Sequence, residues 1–238
     1  MYILALETTG PHASVALIDD RGHTKELVND GTLNHLENLA PMIEECLGME
    51  GITLRDISYI ACSQGPGSFT GIRIGVTTAR GLAQVLNCDV IPVETLRSFA
   101  YAAVDYYGLI CPVIDARRNQ CYAAGYSWKR GNLEEVIPPG PYMIDDFLEK
   151  VQKTRRNCLF FGDGIRRYGE KIYGIKNDVE TAGESNMLQR AGLVAMAALD
   201  GYMNGDMVPY GQLEPIYMRK AEAERKREER LKNESADN

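Results

Sequence analysis

Residues Gln64 to Gly75 read Gln-Gly-Pro-Gly-Ser-Phe-Thr-Gly-Ile-Arg-Ile-Gly. A glycine- and proline-rich turn that opens a helix gathers free backbone N–H groups at a positive helix end, a cradle for an anion or for a partner's backbone. Ser68 and Thr70 are N-cap types, so the hydroxyls could equally close the helix while the glycines allow a tight turn and close packing. No Lys follows the last glycine, and the spacing is not Gly-x-Gly-x-x-Gly, so neither nucleotide fingerprint is present. Two other turns carry polar groups. Glu7-Thr8-Thr9-Gly10 offers hydroxyls, a glycine and a carboxylate, and Gly162-Asp163-Gly164 follows an apolar run where an adenosine could rest. Thr8, Thr9, Gly162, Asp163 and Gly164 are therefore the candidate nucleotide-binding residues, with an ordinary strand-to-helix connection favoured for the last three.

Other chemistries find less support. His12, His23 and His35 have no second His at a three- or four-residue step, and His35 is followed by Leu39, so no metal site is expected. No Gly-x-Ser-x-Gly elbow frames a nucleophile. The six cysteines, Cys46, Cys62, Cys88, Cys111, Cys121 and Cys158, are scattered without a Cys-x-x-Cys pair and read as small buried hydrophobes of a reducing compartment. With 26 Lys and Arg against 33 Asp and Glu, the formal charge is −7, which argues against an autonomous nucleic-acid binder. The first residues reach Glu7 without a basic region, and no apolar run approaches a membrane span, so the expectation is a soluble cytoplasmic protein with no membrane contact.

These turns need elements to hold them. Apolar runs predict strands over Tyr2–Leu6, His12–Ile18 and Lys25–Val28, with a hairpin turn at Asp19-Asp20-Arg21-Gly22. A helix follows from about Asn34, a plausible N-cap, to Leu47, with Leu36, Leu39, Ala40, Ile43 and Leu47 on its stripe and a kink expected at Pro41. A strand over Ile57–Cys62 leads into the Gly-rich turn and a second helix to about Leu86, whose stripe is Ile72, Val76, Ala79, Leu82, Ala83 and Leu86. After Val90–Val93 and a helix over Leu96–Val104 the pattern restarts. Strands are expected at Leu109–Ile114, Gln120–Tyr126 and Leu133–Ile137, then a helix at Ile144–Val151, a strand at Cys158–Phe161 and helical stretches at Met187–Met203 and Ala221–Lys232. A duplicated hairpin-then-helix unit predicts two similar α/β lobes, over residues 1–105 and 106–218. Residues 219–238 form a charged tail, read as frayed rather than a solvated helix.

Four segments resemble the bacterial TsaB (YeaZ) family, the partner proteins in making threonylcarbamoyladenosine in tRNA. They are Ile3 to Thr9 with Ala13 to Leu17; Gly65 to Gly75 continuing into Ala79-Arg80-Gly81-Leu82-Ala83; Pro92-Val93 with Thr95-Leu96; and Ile114 to Arg118 with Tyr122-Ala123-Ala124. The likeness is good over residues 1 to 130 and looser beyond. Glu7 stands where the family often has Asp.

The resemblance implies an α/β fold of two similar actin-like, ribonuclease H-like lobes with mixed β-sheets flanked by helices. It implies a non-catalytic partner of the TsaD subunit, which transfers threonylcarbamoyl to the adenosine beside the tRNA anticodon, with the ATPase TsaE joining and tRNA met only through the complex. No cofactor is implied. An actin-like ATPase clamps phosphates between two opposed turns, and the second turn here, Asp115-Ala116-Arg117-Arg118-Asn119, has no glycine. Its arginines could neutralise phosphate but crowd the place of a backbone nest, which disfavours the alternative of a weak nucleotide-binding ATPase or kinase. The resemblance further implies that helices 34–47 and 70–86 pair with TsaD, or with a second copy as an isologous homodimer when TsaD is absent. Met42, Cys46 and Ile74 fall off the apolar stripes and suggest extra surface for such a contact, the alternative being that both helices are buried on two sides by their own lobe. The expected interface residues are His35, Leu36, Leu39, Met42, Ile43, Cys46, Phe69, Arg73, Val76, Thr77 and Arg80. The Arg pairs 117–118, 155–156 and 166–167 could meet tRNA in the complex, although solvated lobe edges explain them as well.

Overall fold

Alternating side chains on the first strand split between two cores, and this split organises the molecule. In the computed structural model, which describes residues 1–29, 35–184 and 187–219 and the side chains of all but 35 and 36 of these, Leu4 and Leu6 face one helical layer. Ile3 and Ala5 face another. The first sheet comprises β1 (Tyr2–Glu7), β2 (Ser14–Asp19), β3 (Thr24–Val28), β4 (Ile57–Ser63) and β5 (Val90–Val93), in the order β3-β2-β1-β4-β5. β1 pairs antiparallel with β2 and parallel with β4, so the sheet is mixed.

The second sheet repeats this plan. It holds β6 (Leu109–Asp115), β7 (Gln120–Lys129), β8 (Asn132–Met143), β9 (Cys158–Phe161) and β10 (Val179–Thr181), in the order β10-β9-β6-β7-β8. β6 takes the place of β1, with β7 antiparallel on one side and β9 parallel on the other. The expected duplication is thus a duplication of topology.

Helices α1 (His35–Glu50) and α2 (Phe69–Leu86) cover the outer face of the first sheet. Helices α4 (Ile144–Thr154) and α5 (Gly164–Tyr173) cover the outer face of the second, through Phe147, Val151, Ile165 and Ile172. The inner faces are covered by exchange. The short α3 (Thr95–Ser98) and the 3-10 turn Phe99–Ala103 follow the first sheet in sequence but pack on the second, where Leu96, Phe99 and Ala100 meet Ile110, Ala124, Tyr126 and Phe161. Helix α6 (Ala191–Asn204) follows the second sheet but packs on the first, where Val194, Ala195 and Ala198 meet Ile3, Ala5, Ala16 and Ile91. A cut at residue 105 therefore separates each sheet from the helix that closes it.

Polar groups hold the exchanged helices. Ser14 Oγ accepts a hydrogen bond from Ala191 N at 2.8 Å, and Glu26 accepts from Gly192 N at 3.0 Å and Arg190 Nη2 at 2.6 Å, so β2 and β3 satisfy the amino end of α6. Glu94 caps α3 by accepting from Leu96 N and Arg97 N, and it also accepts from the Tyr126 hydroxyl at 2.7 Å.

Several boundaries differ from those expected. α1 continues through Pro41 to Glu50; its expected cap Asn34 lies outside the described residues, as do the side chains of His35 and Leu36 and the tail beyond 219. β8 runs on past Ile137 through Pro138, Pro139 and Pro141, which an edge strand tolerates because half of its N–H groups need no partner. β10 has no counterpart in the sequence reading, and α5 is the helix that the strand-to-helix connection at Gly162-Asp163-Gly164 implies without bounds. The six cysteines are free thiols, five of them buried in the apolar layers. No helix among the described residues is long and apolar enough to cross a membrane.

Removing the Ser14 hydroxyl orphans the buried Ala191 amide. Ser14→Ala should cost about 1–3 kcal/mol in a urea titration; an unchanged midpoint would show that this bond does not hold α6 in place.

Candidate functional site

The turn after β1 is built against the Gly-rich loop rather than around an open space. Glu7, Thr8 and Thr9 are buried, at 0%, 1% and 2% exposure. Thr8 Oγ1 donates to Gly71 O at 2.7 Å, and Thr9 O accepts from Ser68 N at 2.8 Å. Thr9 spends its own N–H and hydroxyl on Glu7 Oε1, at 2.5 and 2.6 Å. The glycines permit this approach. A methyl on Gly67 would meet Thr9, one on Gly71 would overlap the Thr8 carbonyl, and one on Gly75 would meet the Thr8 hydroxyl. Ser68 caps α2 by accepting from Gly71 N at 3.2 Å. Of the two roles open to the Gly-rich stretch, the structure gives it tight packing, and the amides of Ser68 and Gly71 are already spent.

Behind this turn lies a hydroxyl cluster. Ser63 Oγ is 2.8 Å from Thr95 Oγ1, which donates to Thr9 Oγ1 at 3.5 Å, while Thr95 N donates to Gly65 O at 2.8 Å. Burial pushes the Glu7 carboxyl above its ordinary range, and hydrogen bonds from Thr9 and Ser63 hold that rise back.

The corresponding place in the second lobe is equally committed. Gly162, at φ +96°, and Gly164 lie against Val113, where a side chain on either would collide with its backbone. Asp163 Oδ1 accepts from Asp115 N at 2.9 Å, and burial raises its carboxyl. Asp115 Oδ1 accepts from Arg117 N and from the Tyr168 hydroxyl, both at 2.9 Å, and its Oδ2 lies 3.5 Å from Arg167. Between the lobes, Met187 O accepts from Gly162 N at 2.8 Å, and buried Gln189 packs on Gly10. Two cavities among the described residues lie elsewhere, one beside Glu26, Ala102 and Arg190, the other beside Glu94, Arg97 and Asp200. Thr8, Thr9, Gly162, Asp163 and Gly164 line neither.

The expected interface residues divide in two. Leu39, Met42, Ile43, Cys46 and Val76 are buried in the first lobe's own core, at 2%, 9%, 4%, 0% and 4% exposure. This corrects the reading of Met42 and Cys46 as surplus surface and keeps Leu39, Ile43 and Val76 on the inward stripes where periodicity puts them, while Ile74, also read as surplus, is half-buried against the same core. Cys46 stands two turns from Leu39 on the same face of α1 and lies 4.0 Å from the Lys25 carbonyl of β3, so the sheet itself buries it, with Met42 beside it in the same core. Thr77 faces outward, and with it on the side of α2 opposite Ile72, Val76 and Ala83 stand Thr70, Gly81 and Val85, the last 83% exposed. Beside them α1 exposes Glu37, Pro41, Glu44, Glu45 and Gly48. The sequence reading missed Gly81 and Val85, although their spacing from Thr77 marks one face.

Phe69, Arg73 and Arg80 lie on the flank of α2, where the strap 205–219 crosses it. Val208 bridges to Val90, Arg80 Nη2 donates to Gly211 O at 3.2 Å, and Leu213 is buried in the first lobe's core. Ile216 N donates to Gln64 O at 2.6 Å, its carbonyl filling the space a side chain at Gly65 would need. Tyr217 stacks on Phe69 with centroids 4.4 Å apart, Arg73 lies 4.1 Å over the Phe69 ring, and Arg73 Nε donates to the Tyr217 hydroxyl at 3.1 Å. Arg219 Nη1 then reaches across to Ala116 O in the second lobe at 2.7 Å.

Two outcomes follow from the docking of the first turn. Gly71→Ala drives a methyl into rigid backbone and should cost about 1–3 kcal/mol or more in urea unfolding; wild-type stability would contradict the packing. Glu7 binds its proton more tightly folded than unfolded, so stability should fall as pH rises from 4.5, its ordinary value, through the raised folded value. Glu7→Gln should flatten that slope in urea midpoints measured from pH 4 to 8, and an equally sloped variant would remove Glu7 as its cause.

Comparison with known proteins places this geometry. Residues 30–224 match the family model described as TsaD, tRNA N6-adenosine threonylcarbamoyltransferase. The tRNA threonylcarbamoyladenosine biosynthesis protein TsaB of Bacillus subtilis (strain 168) is 33% identical over 229 residues, covering 95% of this chain and 97% of its own. The TsaB of Escherichia coli (strain K12) is 29% identical, with 92% and 95% covered. A crystal structure from Pseudomonas aeruginosa, described as similar to peptidase YEAZ, superposes with a TM-score of 0.78 at 25% identity, over 92% of this chain and 99% of that one. The chain belongs to the TsaB (YeaZ) family of tRNA threonylcarbamoyladenosine biosynthesis proteins.

Proposed function

We propose that this chain acts in threonylcarbamoyladenosine formation as a non-catalytic subunit that pairs, through the outer face of α1 and α2, with a TsaD-type threonylcarbamoyltransferase. The observation that carries this reading is the outer face of α2, where Thr70, Thr77, Gly81 and Val85 leave an exposed, uncharged strip that none of the described residues covers. Small residues let a second helix approach closely, and the exposed Glu37, Glu44 and Glu45 beside the strip suit a partner face that carries cations. A second copy would use the same strip in a two-fold homodimer when the transferase is absent. A TsaE-type ATPase joins the same assembly, tRNA is met through the complex, and the setting is the cytoplasm.

The internal bonds of Thr8, Thr9 and Asp163 favour this reading over a nucleotide-binding ATPase or kinase, because the groups such an enzyme would turn toward phosphate are spent within the fold. The decisive assay measures threonylcarbamoyladenosine in a mixture of tRNA, threonylcarbamoyl-adenylate, the transferase and the TsaE-type ATPase. Product should require this chain, and the chain alone should give none. Equal product with and without it would overturn the proposal. Gly81→Arg tests the surface separately. A methyl there meets no atom of the described residues, and losing a mid-helix glycine should leave stability unchanged or raised by up to about 1 kcal/mol. Pairing with the transferase, read by titration calorimetry, should weaken at least tenfold; full affinity would move the interface elsewhere.

A further inference from the structure

The strap 205–219 ends in a group that nothing in subunit pairing explains. Phe69, Tyr217 and Arg73 form a three-membered stack at the surface, with Tyr217 still 39% exposed. Arg80 lies two turns along α2 from Arg73. Arg219, two residues beyond Tyr217, crosses to Ala116, and the next residues are the exposed Arg117 and Arg118. The arrangement is one line of five arginines, running from α2 over the stack to the turn between β6 and β7.

Among the described residues these charges meet no counter-ion. Arg73, Arg80 and Arg219 each give one nitrogen to a neutral oxygen, and none of the five forms an ion pair with a described carboxylate. Asp115, the acid nearest Arg117 in sequence, is engaged by Tyr168 and Arg167. Of the strap's acids, Asp206 lies at its far end and Glu214 is exposed midway. The other arginine pairs differ. Arg166 and Arg167 are paired with Glu184 and Asp115. Arg155 and Arg156 precede β9, which runs parallel to β6, so they sit at the opposite end of the sheet from Arg117, about 20 Å away at ~3.3 Å per residue.

We infer that this line is an RNA-contacting face, in which Arg117, Arg118 and Arg219 meet phosphates while the Phe69–Tyr217–Arg73 stack receives an unpaired base. Aromatic rings beside arginines are the common platform for single-stranded RNA, since every base offers a π-face and guanidinium planes stack as well as pair. The net charge of −7 sets the condition: the face adds to tRNA binding by the paired subunits and does not bind alone. The inference deepens the proposed function and rests on it.

The test uses the complex with the transferase and unmodified tRNA, with Kd measured by fluorescence anisotropy across a salt series. Arg117 and Arg118 sit at φ +62° and +52°, a conformation Asn tolerates, so Arg117→Asn with Arg118→Asn removes both charges without straining the turn. Arg155→Asn with Arg156→Asn removes equal charge at the far end. Pairing with the transferase is measured first, without RNA. The 117/118 variant should pair normally, bind tRNA about tenfold more weakly near 100 mM salt, and lose about two from the slope of log K against log salt, while the 155/156 variant changes little. Ultraviolet cross-linking of the wild-type complex should attach RNA to the peptide carrying Tyr217. Normal pairing with affinity and slope equal to the 155/156 variant would overturn the inference. Lost pairing in the 117/118 variant would also overturn it, by making this a protein-docking face. If the wild-type chain fails to pair, the subunit role itself fails, and this inference with it.

Discussion

The inner strands of both sheets, β1, β2, β4 and β6 among them, are apolar on two sides, and the need to cover both sides governs the rest of the molecule. The outer faces are closed locally, by helices that follow their strands in sequence. The inner faces cannot be, because both local helices are already used, so α3 and α6 cross over and each closes the other lobe's sheet. The crossing joins two topologically separate sheets through buried apolar contact, and Glu94 and Ser14 then satisfy the backbone amides that the crossing brings inside.

The Gly-rich stretch obeys the same demand at closer range. Where α2 starts, three glycines let it settle onto the backbone of the turn after β1, and the hydroxyls of Thr8 and Thr9 become internal fasteners. A motif that looks like a ligand cradle in sequence is here a contact between two parts of one lobe. The groups spared from this packing lie on the outside of α2: small, neutral residues on one side and arginines along the strap on the other.

Much of this was legible beforehand. Strand alternation and the hairpin turns mark most strands of both sheets and their duplication, and the Gly-rich stretch locates the β4-to-α2 connection, while the strand order comes from the structure. What periodicity cannot supply is the width of a buried arc. Met42 and Cys46 look surplus beside a stripe counted from Leu36, yet Cys46 lies two turns from Leu39 over the Lys25 carbonyl of β3, and both are buried in the first lobe's core. Nor does periodicity say which sheet a helix covers, so α3 and α6 were placed with their sequence neighbours. β8 was cut short because its prolines read as breakers, which holds for an interior strand and not for an edge. The strap escaped notice because it has almost no regular structure and is anchored by single residues such as Leu213 and Tyr217.

The exchange of α6 also sets an order of events during synthesis. Ser14 waits for an amide 177 residues later in the chain before its bond can form, and the inner face of the first sheet waits with it. At a ribosomal rate of about 5–20 residues per second, that interval is roughly 9–35 s. For that time the nascent chain presents Ile3, Ala5, Ala16 and Ile18 to the cell as a bare apolar surface. The first lobe is first to be made and last to be finished, because its inner face is covered only when α6 arrives.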